Sequence, residues 1–105
     1  MTVEELWQQH INSAFPDACR GEDVRGIDFV MLDADTAGCI SAFLDARRTG
    51  CNLDLRRTAI LGMCYSELCQ VVRDLDGESL EYFSRLAVAA RLVLEAVRDR
   101  APQTG

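Results

Sequence analysis

The C-terminal part of the chain carries its clearest helical pattern: residues 78–100 are ESLEYFSRLAVAARLVLEAVRDR. Apolar residues recur there at alternating steps of three and four, which is the spacing of one face of an α-helix. That stripe consists of Leu80, Phe83, Ala87, Ala90, Leu94 and Val97, with Leu86 and Val93 widening it. Val88 and Leu92 fall toward the outer side, so we expect this helix to be central in its domain or to self-associate there.

The segment before it predicts a partner helix. Asp54 can cap that helix, and its apolar residues, at similar steps, are Leu61, Cys64, Leu68, Val71 and Leu75. Asp76 and Gly77 form a tight turn between the two segments. A connection this short predicts an antiparallel αα-hairpin.

Two further helices are predicted in the first half. Thr2 and Glu5 fit a capping box, and the helix they open should run from Val3 to about Ala14, ahead of Pro16. Its expected buried face is Val3, Leu6, Trp7, Ile11 and Ala14.

The second of these helices should be capped by Asp33 or Asp35 and run to about Arg47, with Thr49 and Gly50 closing it. The apolar run at residues 27–32 is too short to assign by periodicity. Since nothing else in the chain is typical of a strand, we expect residues 27–32 to be extended chain or irregular helix.

These elements predict an all-α fold, a compact four-helix bundle-like domain with a C-terminal antiparallel αα-hairpin. At 105 residues there is room for one domain, residues 1–105, in which the small polar tail at 101–105 should fray.

The charge balance argues against several classes of partner. All eleven basic residues are Arg, which is typical of a high-G+C bacterial genome, and the net charge is −6. A negative chain is poorly suited to nucleic acid or to an anionic membrane surface. No apolar run is long enough to span a bilayer, and the acidic N-terminus lacks the pattern of a signal peptide, so we expect a cytoplasmic protein.

Acidic residues concentrate between the first two predicted helices. The candidate partner-binding residues are Asp17, Glu22, Asp23, Asp28, Asp33 and Asp35. They could dock a protein with a basic surface, because complementary charge speeds encounter. The alternative is a solvated loop.

Residues 29–36, FVMLDADT, resemble the hhhhDxDxT motif of haloacid-dehalogenase-type phosphatases. The resemblance implies that Asp33 is a nucleophile and Asp35 a general acid/base at the end of a parallel strand, with magnesium alongside. That family also needs a downstream basic residue, a later acidic pair and a Rossmann-like sheet. The chain has no Lys and no βαβ alternation, so we interpret the two aspartates as helix caps.

Other reactive residues give no pattern of a metal or cofactor site. His10 is the single histidine, which excludes a multi-histidine metal site within one chain, and we expect it to be partly covered at the surface. The five cysteines include no C-x-x-C pair and are expected to be free and mostly buried, with Cys51 in a loop as a candidate thiol switch. No cofactor is predicted.

The sequence therefore favours a non-enzymatic, acidic protein-interaction module, with a foreign protein or a second copy as partner. An inhibitor of the immunity or antitoxin type is one concrete version, by analogy of size and charge. The alternative is a small enzyme or ligand-binding bundle that uses Asp33 and Asp35 and has a cavity of a few hundred Å³ between its helices.

Overall fold

The computed structural model describes residues 1–100, and the frayed tail expected at 101–105 lies outside that range. Within it the chain forms four α-helices: α1 (Val3–Ile11), α2 (Phe29–Arg48), α3 (Leu55–Val71) and α4 (Gly77–Arg100). Between α1 and α2 lie a 3-10 turn (Asp17–Cys19) and two short strands, β1 (Asp23–Val24) and β2 (Ile27–Asp28). The helices pack together as an all-α, bundle-like fold, as the sequence predicts.

The central helix is α4, which packs against α1, α2 and α3. Its buried residues are Ser79, Tyr82, Phe83, Leu86, Ala89, Ala90, Val93 and Val97. The predicted stripe was therefore partly wrong, because Leu80, Ala87 and Leu94 are only half-buried. Since three helices surround α4, its buried face is broader than one stripe and is centred nearer Leu86 and Val93.

Helix α1 begins as predicted and ends early. The side chain of Thr2 accepts from the Glu5 backbone N–H, and the Glu5 carboxylate accepts from the Thr2 backbone N–H, so the capping box is confirmed. The helix ends at Ile11, where Ser13 Oγ donates to the Gln9 carbonyl, 2.7 Å away.

The predicted buried face of α1 needs a correction. Val3 and Leu6 are buried and Trp7 is half-buried, whereas Ile11 and Ala14 are exposed. The third buried residue of α1 is His10, one helical turn beyond Leu6 on the same face.

The N-cap of helix α2 lies five residues before the first predicted cap, Asp33. The Asp28 carboxylate accepts from the Met31 backbone N–H at 2.9 Å, which makes Asp28 the N-cap. Asp33 and Asp35 lie inside the helix, so the prediction that they cap it was wrong. The helix closes as expected at Thr49 and Gly50, where Gly50 has φ +76°.

The segment at residues 27–32 is divided between two elements. Ile27 pairs with Val24 in an antiparallel hairpin, and Phe29 opens α2. The prediction that residues 27–32 have no strand to pair with was therefore wrong. The hairpin turns through Arg25 (φ +55°) and Gly26 (φ +78°), the positive dihedrals that a tight two-residue turn requires.

Helix α3 follows the sequence prediction closely. The Asp54 carboxylate accepts from the Arg57 backbone N–H at 2.8 Å, and Leu61, Cys64, Leu68 and Val71 are buried while Leu75 is half-buried. The largest fully buried side chains are Phe43, Phe83, Ile40, Leu61, Leu68 and Leu86. These residues belong to one contiguous core.

None of the helices in residues 1–100 combines the length and the apolar character needed to cross a membrane.

Candidate functional site

A buried polar cluster joins three helices at the end of α1. His10 Nε2 lies 2.9 Å from Asp33 Oδ1, and the Tyr82 hydroxyl donates to Asp33 Oδ2 at 3.0 Å. The Tyr82 oxygen is also 3.3 Å from His10 Nε2. His10 and Tyr82 are 7% and 5% exposed, so these polar atoms are largely removed from water. We call these three residues the polar cluster.

Each residue of the polar cluster comes from a different helix. His10 is in the last turn of α1, Asp33 in the second turn of α2, and Tyr82 in the second turn of α4. The side chain of Asp33 is 20% exposed, so it forms the edge of the cluster nearest to solvent. The expectation of a partly covered surface histidine was wrong, because α1 packs this face onto α4.

The contacts in the polar cluster differ in kind. The Tyr82 contact is a directed hydrogen bond, whereas the His10–Asp33 contact is close but not aligned as one, and Asp33 Oδ1 makes no hydrogen bond within residues 1–100. His10 Nδ1 is buried and has no partner in the same range. Aromatic packing completes the surroundings, since the His10 ring lies 4.7 Å from the Tyr82 ring and 6.0 Å from the Trp7 indole, centroid to centroid.

The cluster stabilises the protonated form of Tyr82. Burial raises the pKa of the Tyr82 phenol well above its ordinary value, and the negative charge of Asp33 and the hydrogen bond donated to it act in the same direction. Tyr82 therefore remains a donor to Asp33 across the physiological range.

The two aspartates of the DxDxT segment do not converge. That segment lies in a helix rather than at the end of a parallel strand, and two residues along a helix are separated by about 200°. Asp33 faces His10 and Tyr82, while Asp35 is exposed and lines a hollow with Arg57 and Ile60. The geometry that the phosphatase resemblance implies is therefore not formed by these two residues.

A half-open groove of about 430 Å³ lies beside the polar cluster, between the chain after α1 and the start of α4. Arg85 crosses one wall and donates to Ser13 Oγ at 2.9 Å. Its lining residues are Ser13, Ala14, Phe15, Pro16, Asp17, Arg20, Glu78, Glu81, Tyr82 and Arg85. The groove has the size expected of a ligand-binding bundle, but Asp33 and Asp35 do not line it.

The acidic candidate residues are spread over several environments. Asp17 is exposed and pairs with Arg20 at 3.1 Å, Asp28 caps α2, and Asp33 belongs to the polar cluster. Glu22 and Asp23 are exposed at the hairpin. Five of the six remain at the surface, and Asp33 is directed to His10 and Tyr82.

Exposed apolar side chains lie on both α2 and α3. Met63 is 67% exposed, Met31 58% and Ile60 37%. Helical spacing places Met31, Ala34 and Gly38 along one line of α2, and Ile60 and Met63 on one side of α3. One hollow of about 310 Å³ is lined from both helices by Ala34, Asp35, Gly38, Cys39, Arg57 and Ile60. We call the surface formed by Met31, Ala34, Gly38, Ile60 and Met63 the α2–α3 face.

The self-association candidates on α4 are less exposed than Met31 and Met63 of the α2–α3 face. Val88 is 38% exposed, and Leu92 is half-buried and packs against the core. Val88 lines a shallow hollow of about 140 Å³ with Tyr65 and Cys69 of α3.

The cysteines are free thiols. Cys19, Cys39 and Cys64 are buried, Cys69 is half-buried and Cys51 is exposed in the loop between α2 and α3. Burial raises the pKa of the Cys39 and Cys64 thiols, which disfavours their thiolates. Within residues 1–100, no three His, Cys, Asp or Glu side chains are grouped so as to hold a metal ion.

Comparison of the chain with protein-family models, curated proteins and solved structures gives no match. Its function must therefore be argued from these surfaces.

The polar cluster could not be predicted from the sequence alone. Val3, Leu6 and His10 follow steps of three and four, which is the local signal that His10 shares the buried face. Its partners are 23 and 72 residues away along the chain, so no local pattern identifies them.

Proposed function

We propose that this chain is a non-enzymatic protein-interaction module that binds its partner through the α2–α3 face. The observation that carries the proposal is the exposure of Met31 and Met63, two large apolar side chains on adjoining helices. Contiguous exposed apolar surface is typical of interaction sites. Methionine suits such a surface because its flexible thioether adapts to the shape of a partner.

Charged residues around the α2–α3 face support recognition of a protein. Arg56 and Arg57 lie beside Ile60, and Glu67 follows Met63 by one turn of α3. Apolar side chains with a polar rim are the usual composition of a protein–protein interface, and here Asp35 and Arg57 also line the hollow between the two helices. A foreign partner with a basic surface, as for an immunity- or antitoxin-type inhibitor, would contact the exposed acids Glu22, Asp23 and Asp28 and not the arginine end of this face.

His10, Asp33 and Tyr82 are residue types that often act in catalysis, and their contacts in the polar cluster support a structural role for them. Tyr82 donates to Asp33, and His10 contacts the same carboxylate, so their polar atoms are directed at one another rather than at an open cavity. The observation that favours the alternative, a ligand-binding bundle, is the groove beside Arg85 and Ser13. Such a ligand would be held by the groove residues and not by Asp35.

Site-specific photocrosslinking in living cells tests the proposal. A benzophenone amino acid replaces Met63 in one variant and Ile11 in the other, since Ile11 is 53% exposed and belongs to α1, which contributes no residue to the α2–α3 face. We expect a discrete protein adduct from position 63 and none from position 11, whether the adduct is a second copy or a foreign protein. Equal yields at the two positions, or no adduct at position 63, would contradict the proposed function.

A further inference from the structure

Two charged residues of opposite sign mark the two ends of the α2–α3 face. Arg56 precedes Ile60 by one turn of α3, and Glu67 follows Met63 by one turn. Within residues 1–100 neither Arg56 nor Glu67 takes part in an ion pair, whereas Arg57, next to Arg56, pairs with Asp54. A basic end and an acidic end, each without an ion-pair partner among residues 1–100, therefore lie about 16 Å apart along the helix axis.

The acidic end extends onto the neighbouring helix. Cys39 Sγ of α2 lies 3.6 Å from the Arg57 carbonyl of α3. Thr36, which precedes Cys39 on α2, contacts Cys64, which follows Arg57 on α3. The two helices therefore run antiparallel, and the start of α2, with its cap Asp28, lies toward the Glu67 end.

This placement makes the α2–α3 face complementary to itself. A rotation of 180° about an axis near Met63 and Ile60 brings Arg56 against Glu67 of the partner subunit, and Glu67 against Arg56 of the partner subunit. Ile60 then meets Met63 of the partner subunit, and Met63 meets Ile60 of the partner subunit, which is the reciprocal pairing that a twofold symmetric interface requires. A uniformly basic or acidic partner would match one end of the face and oppose the other.

We infer that the α2–α3 face binds a second copy of this chain, with the two α3 helices antiparallel about a twofold axis midway between Ile60 and Met63. The inference rests on the proposed function and names the occupant of its binding surface. It places the dimer contact on α2 and α3 instead of on Val88 and Leu92 of α4.

Light scattering coupled to size exclusion, on the full chain under reducing conditions, measures the assembly. We expect twice the 11.7 kDa chain mass for the wild type, and the monomer mass for Met63→Glu. Val88→Glu is the matched control, since it introduces the same charge at an exposed apolar position outside the face, and it should remain dimeric. Circular dichroism establishes that each variant keeps the helical fold, which is expected because Met63 is 67% exposed.

Reversal of the two charges tests the twofold pairing itself. Arg56→Glu and Glu67→Arg should each raise the dimer dissociation constant about fivefold or more, the scale of an exposed ion pair present twice. The double variant restores both pairs with exchanged signs, so its dissociation constant should return close to that of the wild type.

A wild-type monomer at all concentrations would overturn the inference. A dimer that Val88→Glu dissociates and Met63→Glu leaves intact would also overturn it, as would additive weakening in the double charge variant. The photocrosslinks separate this failure from failure of the proposed function. A position-63 adduct with a different protein would support the proposed function as an interaction module. The same adduct would contradict the inference that a second copy of the chain binds the α2–α3 face.

Discussion

At the scale of single residues, Asp33 and Asp35 show how position on a helix determines the role of a carboxylate. The two residues are chemically identical and two positions apart, yet Asp33 accepts a hydrogen bond from buried Tyr82 and Asp35 is exposed. When a buried donor loses its acceptor, the free-energy cost of removing that donor from water is no longer offset by a hydrogen bond. Removal of the Asp33 carboxylate should therefore be far more costly than removal of the Asp35 carboxylate.

We expect Asp33→Ala to lower the free energy of unfolding by about 1–3 kcal/mol, since Tyr82 and His10 would lose the group they contact. Asp35→Ala is the control at the same helix and should change it by no more than about 0.5 kcal/mol. Urea denaturation followed by circular dichroism measures both variants. If the two variants were equally stable, the polar cluster would contribute nothing to the fold.

At the scale of elements, the sequence predicted which segments are helical better than it predicted which side of each helix is buried. The caps at Thr2 and Asp54 are local patterns, so they could be identified without knowledge of the fold. The start of α2 could not be chosen locally, because Asp28, Asp33 and Asp35 are all suitable caps. The spacing of Phe29, Leu32, Thr36, Ile40 and Phe43, all buried, is the longer-range signal that selects Asp28.

The buried face of α4 could not be fixed from its own residues, because leucine, valine and alanine occur on most of its circumference. Three neighbouring helices determine which of them are covered.

The site was less predictable than the fold for the same reason. His10 and Tyr82 meet through the packing of α1 on α4, and the α2–α3 face is defined by the absence of a covering helix among the described residues.

One pair of leucines on α4 tests this assignment of its buried face. Leu86 is 1% exposed, while Leu80, which belonged to the predicted stripe, is half-buried. Leu86→Ala should lower the free energy of unfolding by about 2–5 kcal/mol, through lost burial and the cavity left behind. Leu80→Ala removes the same atoms and should cost less than about 1.5 kcal/mol. Thermal and urea unfolding compare them, and a larger effect at Leu80 would contradict the observed packing.

At the scale of the whole molecule, the protein interior contains several groups that ionise only at alkaline pH. Burial raises the pKa of the Cys39 and Cys64 thiols, and burial together with Asp33 raises the pKa of Tyr82. At alkaline pH these groups keep their protons in the folded chain and lose them in the unfolded chain. Unfolding then releases protons, so the folded state loses stability as pH rises.

We expect the free energy of unfolding to fall above about pH 8.5, where unfolded thiols ionise, and more steeply above about pH 10, where unfolded tyrosines do. Each such group contributes a slope of up to about 1.4 kcal/mol per pH unit. Urea midpoints between pH 7 and 11, with reductant present, give the profile. Tyr82→Phe should flatten the part above pH 10, and an unchanged slope in that variant would show that Tyr82 ionises alike in both states.

The polar cluster also affects how precisely the helices are placed against one another. Apolar contacts lack direction, so a stripe of valine and leucine on α1 could slide by a turn along α4 and still be covered. The hydrogen bond between Tyr82 and Asp33, with His10 against the same carboxylate, can form in one alignment of α1, α2 and α4. In this domain the apolar core supplies most of the cohesion, and three polar side chains distinguish the native arrangement from its near neighbours.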